Sequence, residues 1–140
     1  MKKITFFLVL AFVAGMLFTS CQKEDEPQVG SQNLEMSVSK TELTFNGPAQ
    51  SSESFILKTN GSWECSYNHD GDIESVKPRT HKVSALNNVQ PYMITVTVPE
   101  VANPPEAGTK VYCGVIHIKA YDPSRYAHDK AANVTVYRQY

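Results

Sequence analysis

From Leu34 to the C-terminus the sequence predicts an all-β fold, two sheets packed as a sandwich of about seven to eight short strands. Three observations lead there. Apolar residues recur at every second position, the period of a half-buried strand. Clusters of Asn, Gly and Pro punctuate the runs, as turns require. No stretch carries the three-to-four spacing of an amphipathic helix.

The elements follow in chain order. Leu34, Met36 and Val38 alternate in "LEMSVS", and Leu43 and Phe45 alternate in "ELTFN", which Asn46-Gly47-Pro48 closes. Phe55 and Leu57 share one side of "SFILKT", ahead of a tight turn at Asn60-Gly61. Trp63, Cys65 and Tyr67 share a face of "SWECSY". The middle is less regular: Ile73 with Val76, and Val83 with Leu86, are candidate short strands on either side of Pro78. "YMITVTV" is a clean strand ended by Pro99. "KVYCGVIHIKAY" is the longest, with Gly114, Ile116, Ile118 and Ala120 in register, and "ANVTVYRQY" is the last. The irregular spacing and proline-rich loops favour an immunoglobulin-like sandwich over a closed barrel.

A different segment precedes this domain. Met1-Lys2-Lys3 is basic, and Ile4 to Phe18 is apolar apart from Thr5. That run is shorter than the ~20 residues a membrane-spanning helix needs and has the layout of a secretory signal peptide. Phe18-Thr19-Ser20-Cys21 resembles the lipobox cut by the lipoprotein signal peptidase, which implies acylation of Cys21. Each buried methylene contributes about 0.8 kcal/mol, so two or three acyl chains hold a protein on a membrane durably. Gln22-Lys23-Glu24-Asp25-Glu26 resembles the export signal of Bacteroidetes surface lipoproteins, which implies the outer membrane with the domain facing the exterior. The expected organisation is a signal peptide over 1–20, a lipidated acidic tether over 21–33 and the sandwich over 34–140.

Composition excludes several classes. Loss of Lys2 and Lys3 takes the formal net charge from −1 to −3, and the tether holds much of that acidity. No basic stripe suits nucleic acid. Of the 3 cysteines, Cys21 goes to lipid, and Cys65 and Cys113 are left either to form a disulfide or to pack as small apolar groups. The 4 histidines are scattered without ligand spacing, so neither a metal nor another cofactor is expected. Asn68, Asp70, Asp72 and Glu74 alternate, but they do not match a calcium loop, and a turn at Asp70-Gly71 accounts for them. No nucleophile has a base at recognisable spacing, so no enzymatic activity is expected.

"LEMSVSKTELTFNGPAQSSESFILKTNGSWECS" resembles the opening of the BACON domain (Bacteroidetes-associated carbohydrate-binding, often N-terminal). The resemblance lies in Leu43, Phe45, Phe55, Leu57 and the turn Asn60-Gly61-Ser62-Trp63. It continues in Gly114, Ile116 and Ile118, and in "VTVYRQ" ending at Gln139. It implies a non-catalytic module that binds carbohydrate, a glycan of mucin type included. This sequence departs from the family pattern in lacking a second tryptophan in the middle strand and in the longer loop between its last two strands, "YDPSRYAHDKAA".

That loop is the candidate binding site. Tyr121, Asp122, Arg125, Tyr126, His128 and Asp129 gather an aromatic pair, a cation, two acids and an imidazole on one surface excursion. Tyr126 is placed to stack on a sugar ring while Asp122, Arg125 and Asp129 bond its hydroxyls. Trp63 is expected in the core, in phase with Cys65 and Tyr67. The alternative function is a structural lipoprotein that docks an outer-membrane protein partner through a sheet face or edge and has no sugar site.

Overall fold

The computed structural model describes residues 33–68, 72–125 and 129–140. The expectations placed on residues 1–32, Cys21 among them, and on His69, Asp70, Tyr126 and His128 lie outside the described residues. Residues 33–140 form one unit with its own core.

Nine strands and no helix make up the described residues. They are β1 (Met36–Val38), β2 (Glu42–Asn46), β3 (Ser51–Thr59), β4 (Ser62–Tyr67), β5 (Ser75–Lys77), β6 (Thr80–His81), β7 (Gln90–Val98), β8 (Lys110–Tyr121) and β9 (Asp129–Gln139). One sheet has the order β1-β3-β7-β5 and the other β2-β9-β8-β4-β6. The first apolar run therefore splits: β1 lies antiparallel to β3, while β2 crosses to the other sheet and lies parallel to β9. This is an immunoglobulin-like β-sandwich.

Alternation builds the core. Phe55 and Leu57 of β3 and Ile94, Val96 and Val98 of β7 meet Trp63 and Cys65 of β4, Ile116, Ile118 and Ala120 of β8, and Val134 and Val136 of β9. Full burial of one such side chain contributes about 1.5–3 kcal/mol. Trp63 is buried, as its phase predicted. Gly61 has to be glycine: a Cβ there would stand 2.6 Å from both Leu34 Cδ1 and the Tyr121 carbonyl oxygen.

The inward alternation of β9 continues past Val136 to Arg138, whose side chain is 0% exposed. Its guanidinium donates to the carbonyls of Pro48 (3.1 Å) and Pro99 (2.6 Å). One cation thus ties the loop after β2 to the loop after β7, across the two sheets.

One sequence expectation changes, and one open alternative is decided. Val83 and Leu86 do not form a strand: the pairing strand is Thr80–His81, and the chain beyond it is held by a side chain. The Val83 N–H donates to Ser62 Oγ at 3.0 Å, so the segment crosses between sheets instead of joining one. The disulfide left open between Cys65 and Cys113 is also not formed, and both thiols are free and buried. Cys65 lies opposite Ile118, five positions along β8 from Cys113. At ~3.3 Å per residue that is about 16 Å, whereas bridged cysteines have Cα atoms within ~7 Å.

Candidate functional site

Of the sequence-predicted residues, Tyr121, Asp122, Arg125 and Asp129 are described, and they lie in and beside the β8–β9 connection. Asp122 is buried, and its Oδ1 accepts from the Ser124 N–H (2.8 Å) and Ser124 Oγ (2.7 Å). It shapes the start of the β8–β9 connection as an Asx turn does. Tyr121 ends β8 half-buried, and Arg125 is exposed in the connection. Asp129 belongs to β9 rather than to the loop, opposite Tyr121.

Asp129 joins a different constellation, on the outer face of the five-stranded sheet. Its Oδ2 lies 2.8 Å from Lys119 Nζ, and this hydrogen bond, followed by the carboxylate's charge, holds the lysine's pKa above its ordinary value. His117 Nδ1 lies 2.9 Å from Asn133 Oδ1 on the next row. With Glu64 and Arg79 these side chains line a shallow groove of about 520 Å³, floored by small residues such as Ser66 and Ala131. The groove offers donors and acceptors but no aromatic wall.

The aromatic surface is farther along the same face, and a bulge creates it. Strict alternation backward from Ile116 would turn Gly114 and Tyr112 inward together. The register of β8 against β9 shifts between Tyr112 and Gly114, so that Tyr112 pairs with Tyr137 and Gly114 with Val136. The extra residue, Cys113, is buried, and Tyr112 is turned outward to 57% exposure. Gly114 permits the turn: its φ is +151°, and a Cβ would stand 3.0 Å from Ile73 Cδ1.

Tyr112 and Tyr137 then stand side by side, ring centroids 6.0 Å apart and interplanar angle 72°, edge to face. Lys110 Nζ sits 4.2 Å from the Tyr137 ring centroid and 2.8 Å from Glu42 Oε1. Thr44 Oγ1 donates to the same carboxylate oxygen at 3.3 Å. The lysine hydrogen bond holds the Glu42 carboxyl below its usual pKa, so it is ionised at neutral pH. The result is a braced aromatic platform flanked by an ammonium, a carboxylate and a hydroxyl. Periodicity missed it, because period-two reading assigns Tyr112 to the core. The signal present was a glycine inside a long strand, which marks a bulge.

Neither buried cysteine is set up as a nucleophile. Burial, opposed in part by the Arg79 charge, pushes the Cys65 thiol up to about 11. Burial, then the Asp72 charge, raises Cys113. Among the described residues no three His, Cys, Asp or Glu side chains are grouped to hold a metal.

No protein-family model matches the chain, and no curated protein matches it either. Among solved structures it is similar to the ASH / PapD-like domain of human CEP192 (PapD-like domain 7). The TM-score is 0.53 at 11% identity, over 81% of this chain and 90% of that one. The likeness is one of fold.

Proposed function

We propose that this protein is a lipid-anchored, non-catalytic module of the outer membrane that faces the exterior and binds glycan on the outer face of its five-stranded sheet. The observation that carries the reading is the Tyr112–Tyr137 platform. Sugars present apolar C–H faces and polar hydroxyl edges, and exposed Tyr112 against half-buried Tyr137, beside Lys110, Glu42 and Thr44, meets both. Val115 and Thr135, then His117 and Asn133, continue the same strand rows from the platform to the groove, a track for a linear chain. The resemblance to BACON domains supports the same class of ligand, and the lipobox-like Cys21 supports the anchor.

The partner-docking alternative, through a sheet face or edge, is less favoured because the edges are short. The edge strands β1, β2, β5 and β6 are 3, 5, 3 and 2 residues long, short templates for a strand from another protein.

Retention of the protein in native gels cast with mucin or neutral polysaccharides tests the reading. Tyr112→Ala is expected to run at its free mobility; equal retardation of variant and wild type would sink the platform as the site. Palmitate labelling tests the anchor separately, and label surviving in Cys21→Ser would remove it.

A further inference from the structure

We infer that the mouth of the sandwich at the opposite end from the platform is a second binding site, a pocket for one uncharged, polyhydroxylated ring. The pocket, about 340 Å³, opens between the two sheets, at the lower end of the ~300–1,000 Å³ typical of ligand sites. Thr59, Gln90 and Tyr92 come to it from one sheet and His81 from the other, and Asn87 and Asn88 approach from the segment that crosses between them. No Asp, Glu, Lys or Arg lines it, so nothing there repays the desolvation of a charged ligand.

Its aromatic wall is layered. Trp63, buried, lies 5.5 Å from the half-buried Tyr92, and Tyr92 lies 4.8 Å from the exposed His81, centroid to centroid. The back wall is fixed by bonds of its own. Asn60 Oδ1 accepts from the Glu35 N–H (2.7 Å) and its Nδ2 donates to the Asn33 carbonyl (2.9 Å). Thr59 Oγ1 donates to the Glu35 carbonyl (2.7 Å). The crossing segment is pinned at both ends, by Val83 N–H to Ser62 Oγ (3.0 Å) and by Asn87 N–H to the Asn60 carbonyl (2.9 Å). The side-chain amides of Asn87, Asn88 and Gln90 have no hydrogen-bond partner among the described residues. Each offers a donor and an acceptor, the complement of neighbouring hydroxyls.

A rigid frame, a layered aromatic wall and uncommitted amides make a site already ordered for its ligand. The inference does not rest on the platform. Trp63 pairs with Ala120, eight positions from Tyr112, so the sites are about 26 Å apart at ~3.3 Å per residue. A module with both would hold the face of a chain at one end and a terminal or branching residue at the other.

The lone tryptophan reports on this site, since it touches Tyr92 and lies far from Tyr112. The experiment is a titration of Trp63 emission in the full chain, solubilised in a detergent without a sugar headgroup. The probes are methyl glucoside, methyl galactoside and glucuronic acid. A saturable change with at least one neutral glycoside is expected, with glucuronic acid weaker. The Asn88→Ala and Gln90→Ala pair should weaken binding by about tenfold, as loss of direct hydrogen bonds does. Tyr112→Ala should leave the titration unchanged, whatever the gels show for the platform. Both amide positions are exposed, so the variants keep the fold, which near-ultraviolet circular dichroism checks. The inference is overturned by no saturable change up to about 100 mM of either neutral glycoside. An unchanged titration in the amide variants overturns it too, as does glucuronic acid binding as tightly as the neutral probes.

Discussion

Arg138 and Tyr112 show how far a single position can depart from its residue type. Arg138 is a cation at a core position, and alternation through Val134 and Val136 placed it inward although its charge argued for the surface. It stays there because Pro48 and Pro99 supply carbonyls across the two sheets. Arg138→Ala would leave the Pro99 carbonyl without its donor, while the Pro48 carbonyl keeps the Val101 N–H, so the expected loss is that of one unpaired acceptor, about 1–3 kcal/mol. Urea denaturation measures it; a loss under about 1 kcal/mol would mean water replaces the guanidinium. Cys65 gives a prediction in pH. Its folded pKa, about 11, stands above the ordinary 9.0 of the unfolded thiol. Its stabilising contribution is therefore complete below pH 9 and is lost as pH rises toward 11. Denaturation near pH 8 and near pH 10 should show wild type losing more stability than Cys65→Ala, and equal losses would contradict the assignment.

At the scale of elements, the strands were legible where one face is buried and obscure where the chain serves something else. β2, β3, β4, β7 and β9 follow from alternation, because a one-residue slip would turn each apolar set into water. The crossing segment after β6 differs from expectation because Leu86 packs against the core and Val83 is tied to Ser62, neither pairing in a sheet. Strand β9 begins three residues before Ala132, the start expected from sequence, because the charges of Asp129 and Lys130 hide strand positions. The bulge was missed for a related reason: pairing to β9 defines it, and pairing is not written in β8 alone. Gly114→Ala tests that element. The positive φ and the close approach of Ile73 are expected to cost about 1–3 kcal/mol, read as a lower thermal midpoint. Glycan retention should fall with it as Tyr112 loses its outward set; retention at wild-type strength in a folded variant would separate the bulge from binding.

For the molecule as a whole, the sandwich is a rigid two-ended body. The long pair β8 and β9 spans it, with the aromatic platform at one end of the outer face and the polar groove toward the other. Its edge strands, 2 to 5 residues long, are poor templates for other sheets. A lipid at Cys21, joined by the polar residues up to Gln32, would present such a body to glycans near a membrane. The fold class could be read from period and turns, whereas the platform depends on a register that only the folded sheet defines. The most direct measurement is a glycan array probed in parallel with the wild-type chain and Tyr112→Ala. Specific signals on wild type that fall at least about tenfold in the variant, ~1.4 kcal/mol, are the expected result. A blank array from folded protein, or identical signals from both proteins, would contradict glycan binding on the outer face.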